Sequence, residues 1–479
     1  MNPVRNFNKS VGKSGISNGV KVVFCSSEVF GFAKTGGLGD VAAALPAALV
    51  KENCEVKVFM PLYKGINPQK MHKGYGTTIK GGIEFFFIKN DEYFLRDSIY
   101  VGADGRDYPD SVERFSFYSR RVLEILEEVG FRPDIIHCND WQASLVNVYL
   151  KTLYGKDKFF KNTKSVLTIH NMAYQGIFPK KKFSRIGIDA KYFDQKYLEF
   201  YGKVNLLKGG IVFSDVVTTV SPTYAKQIKT PEYGCGLEGV LAQKGKHELG
   251  ILNAIDYDVW DPSRDELIYK KYSPKTLDKK AENKLGLQKE LGLKQDSQKL
   301  LLGMVSRLAE QKGIDILSKA LDSILGEHQV VILGLGEPRY HKILKDKEKK
   351  FKDSLSVSLK FDETLAHKIY AGCDVFLLPS RFEPCGLSQM ISYKYATLPL
   401  VNHTGGLVDT VIDVEAGGGG FVFKKYDRGE FIKTVSRGAR TFRDKKRWKS
   451  ILEKVTKYNF SWEIAASKYI RMYKRLIKN

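Results

Sequence analysis

Lys34-Thr35-Gly36-Gly37-Leu38-Gly39-Asp40 is a glycine-rich loop set between two apolar segments of different pattern. Before it runs Val20-Lys21-Val22-Val23-Phe24, whose β-branched, apolar composition predicts a buried parallel strand. After it runs Val41-Ala42-Ala43-Ala44-Leu45-Pro46-Ala47-Ala48-Leu49, which predicts a helix. Strand, glycine loop, then helix is how an α/β domain builds an anion site. Small residues let the backbone approach a ligand, and the helix amino end presents unpaired N–H groups. Lys34 adds a positive charge at the same place. For the loop alone, a tight turn beside a solvated lysine is the plain alternative. The spacing matches neither G-x-x-x-x-G-K-[ST] nor G-x-G-x-x-G, which argues against a P-loop nucleotidase and against a dinucleotide fingerprint. Partners for the loop must therefore come from elsewhere in the chain.

At 479 residues the chain exceeds one ordinary core, and two domains or more are expected. Hydrophobic content of 43% and charged content of 27% fit a soluble globular protein. No apolar run approaches the roughly 20 residues that span a bilayer. Residues 1–19 carry Arg5, Lys9 and Lys13 and no acid, which predicts a short disordered basic tail rather than a transit peptide. None of the six cysteines forms a C-x-x-C pair, so neither a zinc site nor a disulfide framework is indicated; reduced, mostly buried thiols in the cytoplasm are expected. The net charge of +23 is spread along the chain, with a local concentration over 443–457. No nucleic-acid motif accompanies it, so a solvated basic surface is expected, with neither nucleic acid nor membrane as partner. No His/Asp/Glu set has metal-ligand spacing, and no metal or cofactor is predicted. Monomer and homo-oligomer both remain open.

Strand-like runs recur at Val56–Met60, Ile135–Cys138, Ser165–Ile169 and Val216–Val220, separated by helix-like stretches such as Phe117–Val129 and Ala143–Leu153. Alternation of this kind predicts a parallel sheet covered on both faces. Residues 70–110 break the rhythm and predict a small antiparallel excursion. A second α/β half restarts near residue 300, with strands at Leu300–Val305, Gln329–Gly334, Ser356–Lys360, Asp374–Leu378 and Leu398–Val401. Between the halves, 257–299 is polar and lysine-rich and reads as a hinge followed by a charged helical connector. The segment from Ser461 to Ile477 has helical spacing. Domains are expected at 20–255 and 256–460, with a helix over 461–479. Two doubly wound domains would place a ligand cleft between the carboxyl ends of both sheets.

Several candidates sit just after predicted strands. Arg307 and Lys312 straddle a strand-to-helix turn, where a bidentate guanidinium, a point charge and a helix amino end suit a diphosphate. A surface pair near a turn is the plain alternative. Glu383 follows the strand 374–378 in Arg381-Phe382-Glu383-Pro384-Cys385-Gly386-Leu387. It either accepts sugar hydroxyls or complements a helix dipole. Thr404-Gly405-Gly406-Leu407 is a second glycine turn bearing a hydroxyl. The first half adds His137-Cys138-Asn139-Asp140-Trp141-Gln142 and Thr168-Ile169-His170-Asn171. A lone His170 is ordinarily a satisfied core histidine, but its place at a strand's carboxyl end favours function.

Taken together these motifs resemble glycosyltransferase family 5, the bacterial glycogen synthases and plant starch synthases. The loop 34–40, Thr168-Ile169-His170-Asn171-Met172-Ala173-Tyr174-Gln175-Gly176, Ser306-Arg307-Leu308, Gln311-Lys312-Gly313, 381–387, 404–407 and Gly250-Ile251-Leu252-Asn253-Ala254-Ile255-Asp256 occur in order over about residues 20–475. The resemblance implies a GT-B fold: two Rossmann-like doubly wound domains facing across a cleft, with the last helix crossing back to the first domain. It implies metal-independent, retaining transfer of glucose from ADP-glucose, a nucleotide-sugar donor, to the non-reducing end of an α-1,4-glucan acceptor. By position, Lys34, Gly36 and Gly37 would meet donor phosphate. Arg307 and Lys312 would neutralise the departing diphosphate. Cys385, Gly386, Leu387, Thr404 and Gly405 would add backbone or hydroxyl contacts. Glu383, His170 and Asn253 would touch the glucosyl unit with Asp140 nearby, Asp40 would lie on the acceptor side, and Phe361 would stack on the nucleobase. Gln142 stands where relatives often carry His, and Cys235 where an aromatic is usual. Ile391, eight residues after Glu383, replaces the second Glu of the broader retaining pattern, which favours glycogen and starch synthases over small-acceptor enzymes.

Overall fold

The computed structural model of the protein describes residues 19–102 and 104–478. The basic tail expected over 1–19 falls, apart from Gly19, outside the described residues. The described chain forms two compact units, one of residues 19–253 with 462–478 and one of residues 254–461.

The first unit holds β1 (Lys21–Cys25), β2 (Glu55–Pro61), β3 (Lys70–His72), β4 (Tyr75–Lys80), β5 (Ile83–Ile88), β6 (Ile135–Asn139), β7 (Lys164–Ile169), β8 (Ile177–Pro179), β9 (Glu199–Phe200), β10 (Lys203–Asn205), β11 (Val216–Thr219) and β12 (Glu248–Gly250). Nine of these make one sheet in the order β12-β11-β7-β6-β1-β2-β5-β4-β3, and β8-β10-β9 form a small second sheet. Val22, Val23 and Phe24 are fully buried, as a strand covered on both faces requires. The excursion at 70–110 is a hairpin: β3 and β4 pair antiparallel, as do β4 and β5, while β5 runs parallel to β2 and so extends the main sheet. The helix Gly37–Lys51 begins inside the glycine loop, earlier than the apolar run alone indicates. β8, β9, β10 and β12 have two or three residues each, too few to leave a readable period.

The chain leaves β1 toward β2 and β5, then returns to the opposite side of β1 with β6 and β7. The order therefore reverses between β1 and β6, and no crossover helix covers their carboxyl ends. Helix Trp462–Lys478 packs in this unit against the helix Gly37–Lys51. It is fastened beneath the reversal point. Tyr473 OH lies 2.6 Å from His137 Nδ1, whose Nε2 lies 2.6 Å from Thr168 Oγ1, itself 2.5 Å from Thr218 Oγ1. Burial pushes the His137 imidazole down to about 3, so the ring is neutral and links two partners.

The second unit holds β13 (Leu301–Val305), β14 (Gln329–Leu333), β15 (Leu355–Ser358), β16 (Val375–Leu378), β17 (Leu398–Asn402) and β18 (Phe421–Phe423). All pair in parallel in the order β15-β14-β13-β16-β17-β18, the doubly wound arrangement with its reversal between β13 and β16. One expectation needs correcting. The charged stretch before residue 300 is not only a connector, because helix Lys280–Glu290 packs on helix Glu363–Gly372 as part of this core. Two of its three lysines, Lys280 and Lys284, are buried and paired. Lys280 Nζ donates to Ala371 O (2.6 Å) and Thr397 Oγ1 (2.8 Å), and Lys284 Nζ lies 2.7 Å from Asp374 Oδ2. Desolvation lowers the Lys280 ammonium to about 7.

Tyr473→Phe removes a hydroxyl from the buried chain under β6 and leaves His137 Nδ1 without that partner. We expect it to cost about 1–3 kcal/mol, read as a lower urea midpoint at unchanged slope.

Candidate functional site

The candidate residues cluster at the two reversal points, one in each unit. In the first unit, β1 runs into Ser26-Ser27-Glu28. Glu28 is buried, and its carboxylate holds the glycine loop. Thr35 N–H donates to Glu28 Oε2 at 2.6 Å and Gly36 N–H at 3.0 Å, while Thr35 Oγ1 donates to Oε1 at 2.7 Å. Tyr100 OH donates to the same Oε1 at 2.7 Å and lies 2.7 Å from Ser27 Oγ. The loop enters its helix through Gly36, which supplies no side-chain cap. The Gly39 N–H turns back to Gly36 O at 3.2 Å, and the amides ahead of it in the first turn are where an outside anion would bind. Lys34 sits beside that helix start, paired with Asp40 at 2.6 Å and lying over the Phe30 ring.

Across the reversal point, β6 delivers Asn139 and Asp140. Asp140 has a positive φ of 54°, a conformation Asp tolerates better than most residues. Its Oδ1 accepts the His170 N–H at 2.7 Å. Asn139 Nδ2 donates to Cys25 O, so its Oδ1 is an acceptor for His170 Nε2 at 2.9 Å. That fixes the tautomer with the proton on Nε2 and leaves Nδ1 an acceptor. Burial pushes the His170 imidazole down to about 3 and the Asp140 carboxyl up to about 7, the latter against the opposing pull of the His170 and Asn171 amides. Asn253, just after β12, is buried, and its Oδ1 finds no hydrogen-bond partner among the described residues. A buried carbonyl of that kind invites a hydroxyl donor.

In the second unit, β13 delivers Arg307, whose Nη2 donates to Gln311 Oε1 at 3.1 Å. The turn continues through a short 3-10 helix, Glu310–Lys312, and the α-helix begins only after Gly313. Lys312 therefore closes the 3-10 turn just before the helix, across the strand-to-helix turn from Arg307. Gly313 has φ +78°, and a Cβ there would stand 2.0 Å from Pro379 O, so this junction admits no side chain. β16 delivers Pro379 and Ser380. Lys312 Nζ meets Glu383 Oε2 at 2.6 Å, and Ser380 Oγ donates to the same oxygen at 2.9 Å. Glu383 is buried, with Lys312 and Ser380 as its side-chain partners.

The loop after β17 packs against the loop after β16. Gly406 N–H donates to Glu383 O at 3.0 Å, and a Cβ on Gly406 would meet Cys385 O at 2.2 Å. Thr404 is buried at the start of helix Gly405–Thr410, and Cys385 is buried beside Gly386, which has φ +73° and precedes Leu387. The unit thus gathers Lys312, Ser380, Glu383, Cys385, Thr404, Gly405 and Gly406. Arg381, in the same motif, instead pairs with Glu310 (2.9 Å) and Asp315 (3.4 Å) and covers Tyr426. Phe361 stands 84% exposed on the turn after β15, unconnected to that cluster by any hydrogen bond or ring contact. Sequence reasoning passed over Glu28, Tyr100 and Ser380, and quoted Asn139 without giving it a role. Glu28 had a usable signal, an acid directly after the first buried strand. Tyr100 had none, since it lies in an irregular segment. Among the described residues no group of three or more His, Cys, Asp or Glu could hold a metal ion, and no helix is long and apolar enough to cross a membrane.

With this geometry in place, comparisons with known proteins are informative. Residues 21–243 match the starch synthase catalytic domain, and residues 289–449 match glycosyl transferases group 1. The chain is 44% identical over 477 residues to the glycogen synthase of Geotalea uraniireducens (strain Rf4), covering 95% of this chain and 98% of the relative. It is also 44% identical over 487 residues to the glycogen synthase of Thermosipho africanus (strain TCF52B), covering 96% and 99%. The catalytic domain of Starch Synthase IV from Arabidopsis thaliana, solved bound to ADP and acarbose, superposes with a TM-score of 0.88 at 34% identity, over 96% of this chain and all of that one. Sucrose-phosphate synthase from Thermosynechococcus elongatus is similar at TM-score 0.63 and 16% identity, over 96% and 99%, which bears on the fold alone.

Asp140 yields a pH signature. Its carboxyl binds protons more tightly folded than unfolded, so its contribution to stability falls as pH rises from about 4 toward about 7. Asp140→Asn removes that penalty and keeps a carbonyl for the His170 amide. The Tm of the variant minus that of the wild type should grow between pH 5 and pH 7.5. A difference flat with pH would show that Asp140 titrates normally.

Proposed function

The chain belongs to the glycogen and starch synthase family, with its GT-B fold, and from that premise we propose that it transfers glucose from ADP-glucose to the non-reducing end of an α-1,4-glucan. The reading rests most on Lys312 held 2.6 Å from the buried Glu383 at the reversal point of the second unit. A cation and an acceptor fixed side by side suit a substrate that places a diphosphate and a sugar hydroxyl face next to each other. When phosphate arrives, Lys312 exchanges part of its pairing with Glu383 for the diphosphate, and Glu383 turns its capacity toward the glucosyl hydroxyls.

Charge develops on the departing nucleotide, so preorganised cations carry most of the stabilisation. Lys34 and the helix-start amides from Gly37 onward take phosphate oxygens, while Gly36, its own N–H held by Glu28, lets the backbone come close to them. Arg307 and Lys312 neutralise the diphosphate, with Cys385, Gly386, Leu387, Thr404 and Gly405 contributing backbone or hydroxyl contacts. Asn253 Oδ1 and His170 accept glucosyl hydroxyl protons, with Asp140 orienting His170 through its amide. Asp40 lies toward the acceptor, and Phe361 offers an exposed ring to the nucleobase. Side chains supply all of this charge in a metal-independent scheme. Configuration is retained by same-face attack, the leaving phosphate taking the acceptor proton. The enzyme works in the cytoplasm, where the buried thiols of Cys25, Cys54, Cys138, Cys373 and Cys385 stay reduced.

Stacking on Phe361 tolerates either ring system, so the donor base needs a direct assay. With glycogen as acceptor, labelled ADP-glucose should transfer faster than labelled UDP-glucose; the reverse order would overturn the donor assignment. Lys312→Ala and Glu383→Ala should each lower kcat by about 10²–10³-fold while thermal unfolding stays cooperative. Wild-type turnover in either variant would refute the role given to it.

A further inference from the structure

The turn Cys385-Gly386-Leu387 after β16 carries no charged side chain, and it is anchored from the helix that follows it. Gln389, in the helix Ser388–Lys394, is fully buried. Its Nε2 donates to Gly386 O at 2.9 Å, to Cys385 O at 3.1 Å and to Thr410 Oγ1 at 3.1 Å. Three acceptors surround that end of the carboxamide, so the end must be the nitrogen. Thr410 Oγ1 in turn donates to Gly406 O at 2.7 Å, and the Gly406 N–H donates to Glu383 O at 3.0 Å. One side-chain amide therefore joins the loop after β16, the loop after β17 and the backbone of Glu383.

In a planar trans peptide the carbonyl of one residue and the N–H of the next point in opposite directions. Gln389 draws the carbonyls of Cys385 and Gly386 to itself, so the N–H groups of Gly386 and Leu387 point away from it. Among the described residues neither of these amides donates to a backbone carbonyl. Gly386 is left-handed at φ +73°, and Leu387 follows with φ −109° and ψ −32°, a right-handed conformation. A left-handed residue next to a right-handed one curves successive amides toward a common point, a concavity suited to an anion or a polarised oxygen. Gln389 Oε1 packs beneath the turn, where a Cβ on Gly386 would collide with it, and it has no hydrogen-bond partner among the described residues. The nitrogen alone fastens the turn.

We infer that Gln389 is a positioning residue for glucosyl transfer: it does not touch the donor, and it acts by aiming the Gly386 and Leu387 amides at donor oxygens. The inference rests on the proposed glucan-synthase reading, which brings the donor to this turn. Hydrogen bonds aimed in advance cost no reorganisation as charge develops on the departing nucleotide. Without the carboxamide the turn keeps its glycine and loses both anchors, and the two amides no longer hold one direction.

Gln389→Met removes the donor group and keeps a side chain of similar length, so the core stays filled. In the full-length protein kcat/KM for ADP-glucose should fall about 10–100-fold, with KM for glycogen unchanged and unfolding still cooperative. Ser392→Ala is the matched control, because Ser392 Oγ donates to Gln389 O at 2.9 Å from the same buried helix and touches neither carbonyl of the turn. Its kcat/KM should stay near that of the wild type. Wild-type kinetics in Gln389→Met, or an equal loss in both variants, would overturn the positioning role. Gln389→Glu decides the matter if the Met variant fails to fold. Burial raises a carboxyl pKa, and a carboxylic acid can donate one hydrogen bond where a carboxylate can donate none. The kcat/KM of this variant relative to wild type should therefore rise as pH is lowered from about 8 to about 6, at temperatures where both proteins are folded. A ratio flat with pH would count against Gln389. Wild-type protein that transfers glucose from neither donor would sink the parent reading instead. Calorimetric titration with ADP would then still report on Gln389: affinity about tenfold weaker in Gln389→Met is expected, and equal affinity would overturn the inference.

Discussion

Parallel strands leave a sheet at the same end, and where the strand order reverses no crossover covers that end. This constraint governs both units. In the first, β1 and β6 flank the reversal and bring Glu28 and Asp140 to one edge. In the second, β13 and β16 do the same for Arg307 and Glu383. The residues with chemical capacity lie where the fold leaves backbone amides and carboxylates without a covering layer. Positions far apart in sequence become neighbours for this reason, as with Lys312 and Glu383.

Exposing such an edge has an electrostatic consequence. Carboxylates taken out of water need donors, and cations near them need partners. The chain meets this need internally. Glu28 receives two loop amides and two hydroxyls, Glu383 receives Lys312 and Ser380, and Lys34 receives Asp40. Each unit thus holds these polar groups in defined pairings. In the proposed reaction, substrate binding exchanges one set of partners for another, which limits the reorganisation needed in the transition state.

The same rule explains the lysine-rich stretch before residue 300. Its sequence is that of a solvated helix, yet Lys280 and Lys284 are buried. Carbonyls at the end of the helix Glu363–Gly372 and the Asp374 carboxylate receive them. A lysine stem is long and apolar, so it packs against a core while its ammonium reaches an acceptor. Net charge counted from sequence therefore overstates the basic surface.

The sequence by itself determined the two α/β halves, the strands that carry the candidate site, and most of the residues proposed for it. Buried parallel strands are continuous apolar runs, and glycines at their ends mark close backbone approach, both of which are local properties. Lys34, His170, Arg307, Lys312 and Glu383 were legible because each follows such a run. Only the tertiary structure decided which of them meet. It set Lys312 on Glu383, turned Arg381 away to Glu310, drew Glu28 onto the loop through Thr35 and Gly36, and brought Tyr100 to Glu28 from an irregular segment. It also buried two lysines and set Gln389 on the carbonyls of Cys385 and Gly386. Those outcomes depend on strand order and on the need of each buried polar group for a partner, and neither is written in any local stretch of the chain.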